Sequence, residues 1–330
     1  MTEKEAQNIL LEYKQSPGKN FTLLAGDASS RQYYRYADLP RQQSVILTLY
    51  PGENTKSSLE RYLYWQKKYH DAKLLVPKVI AVDQDSQVVL QEDVGNLVFQ
   101  SELGNASIED ERNLLHAAIS LLPKIRHLQT TDFFTSMPSF NLEKLQFEIN
   151  HTLKYFIGNY LERKEEIESL QKLWVPLLQR LERLPMHICH RDYHSRNLMC
   201  RENKLYIIDF QDSMLGPIQY DLCSLLDDCY IKHRPVNYQS LMREFFEIAV
   251  SEKHHSNSYE EFFINYHLVK LQRQFKAIGS FCYVWSDKKN VRYLKYISYV
   301  MESLKSSFEI LNLPELNSLK EKVFALYYEN

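Results

Sequence analysis

Glycine is scarce in this chain, with eight residues in 330. Neither G-x-G-x-x-G nor G-x-x-x-x-G-K-[ST] occurs, which excludes a Walker-type phosphate cradle. The five cysteines are odd in number and form no C-x-x-C pair. They read as reduced, mostly buried thiols of an intracellular protein. Neither sign of charge prevails: 40 basic and 42 acidic side chains leave a net −2. That balance offers no electrostatic reason to expect a nucleic-acid or anionic-membrane partner. No run of about 18 apolar residues exists, so a conventional membrane span is not expected. The polar start MTEKEAQNIL lacks the apolar core of a secretory signal, and the expected location is the cytoplasm. There is no internal repeat, no low-complexity linker and no feature that implies an obligate protein partner.

What is present falls into two rhythms, and 330 residues suit about two structural units. A helix is expected over Glu3–Gln15. Short β-like runs follow: FTLLA, QYYRYAD, SVILTLY, KVIAVD and QVVLQED. They are rich in Val, Ile, Leu and Tyr, with turn residues between them. One helical stretch, residues 56–71, interrupts them. Beyond Gly95 the pattern becomes helical. Ser107 and Asp110 match a capping box, and helices are expected over 142–161 and 167–184. Residues 186–210 read as loop and short strands around the turn Glu202-Asn203. Leu222, Leu225, Leu226 and Cys229 share a helical face, and the chain is helical again from about Tyr238. The expected fold class is α+β, with a small antiparallel sheet and one packed helix in residues 1–95. A larger, mostly helical part spans 96–330.

The chemistry concentrates in HRDYHSRN, residues 190–197, and in the IIDF that ends at Phe210. Asp192 is suited to accept a proton from a substrate hydroxyl. Asn197 offers an amide oxygen and Asp209 a carboxylate. Both are hard donors of the kind Mg²⁺ takes beside water and phosphate. A hairpin over 198–208 would return Asn197 and Asp209 to a common point. D-x-x-x-x-N followed by D-F is the spacing of kinase catalytic loops. A competing zinc reading of His187, Cys189, His190 and His194 lacks both H-E-x-x-H and paired C-x-x-C. For the nucleotide phosphates the sequence offers GDASSRQYYRY, residues 26–36. Its small residues would let backbone N–H groups approach, and Arg31 adds charge.

These segments resemble the aminoglycoside phosphotransferase/choline kinase-like superfamily, through CHRDYHSRNLM, YIIDF and the two-part layout. GDASSRQYYRY, IIDFQDSMLGPIQYDLCSLLDDCYI and LQRQFKAIGSF resemble, more narrowly, the cell-wall sugar kinases that act on the anomeric hydroxyl of N-acetylmuramate and N-acetylglucosamine. The resemblance implies a bilobal protein-kinase-like fold, with ATP and Mg²⁺ as cofactors and a role in peptidoglycan recycling. It implies Asp192 as base, Asn197 and Asp209 as metal ligands, and Ser29, Ser30 and Arg31 facing the triphosphate. Gln91, Glu92, Asp93 and Val94 would form the segment that pairs with adenine. His194, Arg196, Gln211, Asp212 and Asp228 are placed toward the acceptor, and Asp221 is read as structural. Aminoglycosides, choline and other amino alcohols are the alternative acceptors, and a binding module without transfer activity is the alternative class. Two departures stand out. Thr48 and Leu49 occupy the third-strand position where protein kinases carry a lysine, leaving Arg31, Arg35 and Lys56 as candidate cations. His194 stands where many catalytic loops carry a lysine.

Overall fold

A computed structural model of the chain describes residues 3–15, 20–24, 31–38, 43–50, 55–128, 137–252 and 258–329. Ser29 and Ser30, expected at the triphosphate, lie outside the described residues, as does the side chain of Lys56. The chain divides into two compact units. The first comprises Met1–Glu102, Leu128–Phe133 and Arg196–Ser213, and the second Leu103–His127, Phe134–Ser195 and Met214–Asn330.

In the first unit, helix α1 (Glu3–Gln15) is followed by β1 (Phe21–Leu24), β2 (Gln32–Asp38) and β3 (Gln43–Leu49). After α2 (Thr55–Asp71) come β4 (Val79–Asp83) and β5 (Val88–Glu92). The strands form one antiparallel sheet in the order β1-β2-β3-β5-β4. Pairing sets Tyr34 against Leu47 and Leu47 against Leu90. The alternation of a pleated strand therefore puts these residues on one face. Ala6, Ile9 and Leu10 of α1 complete a buried cluster with Phe21, Val45, Leu47, Val88 and Leu90. The sheet thus carries α1 on this face, and the expected α2 meets β5 through the Tyr62 hydroxyl on Gln91. Along α2, Leu59, Tyr62, Trp65 and Tyr69 recur at helical spacing and are buried.

The same unit holds a hairpin of β7 (Leu198–Arg201) and β8 (Lys204–Ile207), which follows β6 (Met186–Cys189) in the chain. Its turn residues Glu202 and Asn203 have φ of 52° and 58°, as a two-residue primed turn requires. A single break at Gly95 would leave this hairpin with the helical part. It belongs to the first unit because its backbone is bonded there. Cys200 N–H donates to the Leu97 carbonyl and Ile207 N–H to that of Leu75, both at 2.8 Å.

The second unit is mainly helical. Past α3 (Phe99–Asn105), Ser107 caps α4 (Ile108–Ile119), its hydroxyl accepting the Asp110 N–H at 3.1 Å. Then come α5 (Leu122–Arg126), α6 (Leu142–Thr152) and α7 (Ile167–Glu182). Strand β6 pairs with β9 (Met214–Pro217), and α8 (Gln219–Leu226), α9 (Pro235–Ser251), α10 (Tyr259–Ser286), α11 (Ile297–Leu311) and α12 (Pro314–Tyr328) complete the unit. α10 packs against α6, α8 and α11.

Two helices differ from the sequence expectation. The expected helix 142–161 is α-helical only to Thr152 and continues as a π-helix, Leu153–Tyr160. The Thr152 hydroxyl donates to the Glu148 carbonyl at 3.1 Å and is within 3.2 Å of that of Phe275. A side chain competing for a helical carbonyl loosens the ladder, which the wider π turn accommodates. α10 crosses close at this point: a Cβ on Gly279 would fall 2.6 Å from the Thr152 Cα, so only glycine fits. The helix bearing Leu222 ends at Leu226, before Cys229, and Asp228 beyond it accepts the Ser195 N–H at 2.8 Å.

Candidate active site

In the second unit, β6 delivers the chain into residues 190–195. The N–H groups of His190 and Arg191 donate to the two carboxylate oxygens of Asp221, at 2.6 and 2.9 Å. Asp221 lies in the first turn of α8 and is buried. Its grip holds Arg191 at φ 80°, a conformation costing about 1–3 kcal/mol for a residue with a side chain. At the far end of the loop, Asp228 accepts the N–H groups of Ser195 and Tyr230, both at 2.8 Å. Between these anchors the Tyr193 hydroxyl turns inward to the Ala118 carbonyl at 2.8 Å. Two buried carboxylates and one buried phenol therefore fix the backbone on either side of Asp192.

Asp192 keeps 35% of its side-chain exposure and stands 3.6 Å from the Lys276 ammonium of α10. Burial alone would raise its pKa. Lys276, Arg191, His194 and Arg273 outweigh that effect, and the carboxyl is held well below the usual range. Behind it lies Glu148 of α6, almost wholly buried. It accepts from Arg191 at 2.9 Å and from Gln272 at 2.8 Å, with Lys144 at 3.6 Å. Burial opposes the Glu148 charge as well, yet Lys276, Arg191 and Lys144 lower its pKa. Buried Arg273 donates to the Ser224 hydroxyl at 2.6 Å. His194 meets the Tyr230 ring edge-on, with centroids 5.2 Å apart.

In the first unit, the hairpin returns the chain as its spacing requires. Leu198 pairs with Ile207, and the Ile208 N–H donates to the Asn197 carbonyl at 3.0 Å. Asn197 and Asp209 thus flank one end of the same ladder. Asp209 takes a left-handed conformation, φ 62° and ψ 33°. Its Oδ1 accepts from the Arg31 guanidinium and from the Gln211 amide, each at 2.9 Å. Phe210, the next residue, packs its ring between Tyr62 and Tyr69 of α2, with centroids 5.2 and 5.3 Å away. The carboxylate is therefore aimed by an anchored aromatic neighbour.

Thr48 occupies the position of the absent lysine. It is buried opposite Tyr33 and Val89, and among the described residues its hydroxyl has no hydrogen-bond partner. Burial pushes the Tyr33 phenol up to about 12 despite nearby Arg31. Of the candidate cations, Arg35 is committed to Asp93 at 2.6 Å and to Asn96 at 2.6 Å. Arg31 meets Asp209 at 2.9 Å. Burial works against its charge, but Tyr33, Asp209, Tyr50 and Asp212 together raise its pKa.

The expected adenine segment closes β5. Gln91 accepts the Tyr62 hydroxyl, the Glu92 N–H donates to the Lys78 carbonyl at 2.8 Å, and Arg201 reaches Glu92 and the Asp93 carbonyl at 3.0 and 3.2 Å. Val94 is buried. Gly95, with φ 92°, turns the chain after it.

The residues expected at the acceptor part company. His194 stays beside Asp192 in the second unit. Asp228 is fully buried beneath the loop, with both oxygens on backbone N–H groups, so it supports the loop instead of meeting a ligand. In the first unit, Gln211 braces Asp209, Arg196 donates to Gln100 at 3.0 Å, and Asp212 lies 3.8 Å from Arg61. Cys189 of the zinc reading donates its thiol to the Met214 carbonyl at 3.3 Å. Burial raises its pKa well above the ordinary value, the reverse of a thiolate ligand. Sequence reasoning missed Glu148, Arg191 and Lys276 as the setting of Asp192. The only signal was LQRQFKAIGSF, whose Arg273 and Lys276 are three apart and so share a helix face.

The second unit holds a clamped loop bearing Asp192, and the first holds Asn197 and Asp209 at one end of a short hairpin, the residue types that phosphoryl transfer uses. The chain belongs to the phosphotransferase enzyme family (APH), whose model matches residues 20–249. It is accordingly a kinase. Among curated relatives, an N-acetylmuramate/N-acetylglucosamine kinase of Neisseria meningitidis serogroup B is 29% identical over 86% of each chain. One of the same description from Pseudomonas aeruginosa is 26% identical, over 92% of this chain and 87% of its own. Among solved structures, an ADP-bound aminoglycoside phosphotransferase aligns with a TM-score of 0.60 at 15% identity, covering 92% of this chain and 99% of that one. The choline kinase of Streptococcus pneumoniae gives 0.61 at 13%, covering 91% and 99%. At such identities the structural likeness speaks for the protein-kinase-like fold alone.

Proposed function

We propose that this kinase transfers a phosphoryl group from ATP, with Mg²⁺, to the anomeric hydroxyl of an N-acetylated amino sugar, either N-acetylmuramate or N-acetylglucosamine. One observation carries the reading: Asp192 is set among cations, Lys276 at 3.6 Å with Arg191 and Arg273 acting on it. A polycationic aminoglycoside or a quaternary ammonium acceptor would be repelled there. The strongly lowered pKa also makes Asp192 a weak base. An anomeric hydroxyl suits a weak base, because the ring oxygen makes it more acidic than an ordinary alcohol. Phosphoryl transfer asks little of the base beyond orientation and late removal of the proton. The curated relatives' names support the same acceptor class.

The amide oxygen of Asn197 and the carboxylate of Asp209 fit the hard donor set that Mg²⁺ prefers. When bound, the ion supplies charge neutralisation around the transferred phosphoryl group. Arg31 adds positive charge beside Asp209 and takes the place of the absent strand lysine. Asp192 orients the acceptor hydroxyl and receives its proton, while Asp221 and Asp228 keep the loop from drifting. The activity would belong to a cytoplasmic route that recycles cell-wall sugars. The test is ADP release with Mg-ATP and a panel of N-acetylmuramate, N-acetylglucosamine, an aminoglycoside and choline. Turnover confined to the N-acetyl sugars is expected. Turnover only with a cationic acceptor would overturn the proposal.

A further inference from the structure

Glu148 of α6 takes no part in the transfer chemistry, although its side chain is only 4% exposed and stands behind the base. One carboxylate oxygen accepts from the Arg191 guanidinium at 2.9 Å and the other from the Gln272 amide at 2.8 Å. The Lys144 ammonium lies 3.6 Å away. The backbone beneath is fixed as well. The Glu148 carbonyl accepts the Thr152 hydroxyl at 3.1 Å, at the point where Gly279 lets α10 come close. A buried ion pair is weak grounds for stability, because taking both charges out of water offsets much of their attraction. Its effect is better sought in what it positions.

Arg191 is bound at both ends, its N–H on Asp221 and its guanidinium on Glu148. Burial aside, its charge is second only to that of Lys276 among those acting on Asp192. Four acids surround the loop. Asp221 and Asp228 each accept two backbone N–H groups. Of the other two, Glu148 bonds Arg191, and Asp192 follows Arg191 in the chain. An arginine fork closes on a carboxylate with two parallel bonds. On Asp192 it would cover the oxygens that receive the acceptor's proton. We infer that Glu148 is a positioning residue, which holds the Arg191 guanidinium away from Asp192 and so keeps the base open to the acceptor hydroxyl. The inference rests on the reading of Asp192 as the base and deepens it: one carboxylate is reserved for the arginine and the other for the substrate.

The experiment measures kcat and KM, for Mg-ATP and for the acceptor that the unaltered protein turns over, in Glu148→Gln, Glu148→Asp, Arg191→Gln and the double variant Glu148→Gln/Arg191→Gln. Glu148→Gln keeps the size of the side chain and removes its charge. It is expected to lower kcat/KM for the acceptor by roughly tenfold to hundredfold, the range of a hydrogen bond to a charged group, with KM for Mg-ATP within about threefold. Glu148→Asp keeps the charge and should lose less. Removing Arg191 as well should restore the rate, leaving the double variant faster than Glu148→Gln and within about threefold of Arg191→Gln alone. In a crystal structure of Glu148→Gln the guanidinium should lie on the Asp192 carboxylate. A merely structural Glu148 predicts the opposite order, with the double variant slower than either single one. That order, or a guanidinium still away from Asp192, overturns the assignment and leaves the kinase reading intact. If Glu148→Gln does not fold, the double variant compared with Arg191→Gln decides alone. Absence of turnover of any acceptor by the unaltered protein overturns the reading of Asp192 as base, and the assignment with it.

Discussion

At the scale of single residues, the division of labour is testable because each carboxylate has different neighbours. Asp192→Asn keeps the size of the side chain and removes the base. General-base contributions are about 10²–10⁴-fold, and turnover should fall by that order while nucleotide affinity is kept. Full activity would remove Asp192 from the mechanism. Asp209→Ala should instead abolish Mg²⁺-dependent binding of an ATP analogue in calorimetry, and unchanged affinity would take Asp209 out of the metal site. The pH dependence follows from the lowered pKa of Asp192. Its charge contributes stability above the unfolded value of about 3.9 and loses it as pH falls through the lower folded value. Between about pH 5 and 8 Asp192 stays ionised, and kcat/KM should show no acid limb from it. A carboxylate-type limb inside that window would count against Asp192 as the base.

At the scale of elements, the catalytic loop is a short segment whose shape is imposed by carboxylates from outside it. Asp221 opens α8 and takes two backbone N–H groups of the loop. Asp221→Ala removes that acceptor from both. At about 1–3 kcal/mol for each unsatisfied buried group, the unfolding free energy should drop by roughly 2 kcal/mol or more in urea titration. Asp221→Asn retains one accepting oxygen and should lose less. Equal stability of all three proteins would show that the loop holds its conformation unaided. Asp221 is read as structural through the family resemblance, which implies an aspartate at the helix start after the IIDF segment. Asp228 is not: it follows Asp227 directly in the sequence and is placed toward the acceptor. In the structure Asp227 is buried on Lys270 at 2.7 Å and on the Tyr238 hydroxyl at 2.9 Å, and Asp228 serves Ser195. Backbone donors leave no trace in a sequence, so a carboxylate that satisfies them looks like any other acid.

At the scale of the whole molecule, a nearly neutral chain hides an uneven distribution of charge. The net −2 gave no reason to expect a nucleic-acid or anionic-membrane partner, yet Lys276, Arg191, His194 and Arg273 act together on Asp192. Screening should reveal this. Between about 0.01 M and 1 M salt, where the Debye length falls from about 30 Å to about 3 Å, KM for N-acetylmuramate should rise several-fold. That for N-acetylglucosamine should change little. Matching salt responses would argue that the cations do not act on the acceptor's charge.

The sequence by itself determined the five strands of the first sheet, most of the helices, the hairpin that brings Asn197 and Asp209 together, and the aspartate between them and β6. Those features depend on spacing along the chain, on alternation, helical period and turn residues, and spacing is what a sequence records directly. Only the tertiary structure decided which lysine stands beside Asp192, and which carboxylates hold its loop. It also decided that Arg31 meets Asp209 while Arg35 turns to Asp93. Helical periodicity tells which residues share a face with Lys276. It says nothing about what stands opposite that face, because that depends on how α10 packs against α6 and α8.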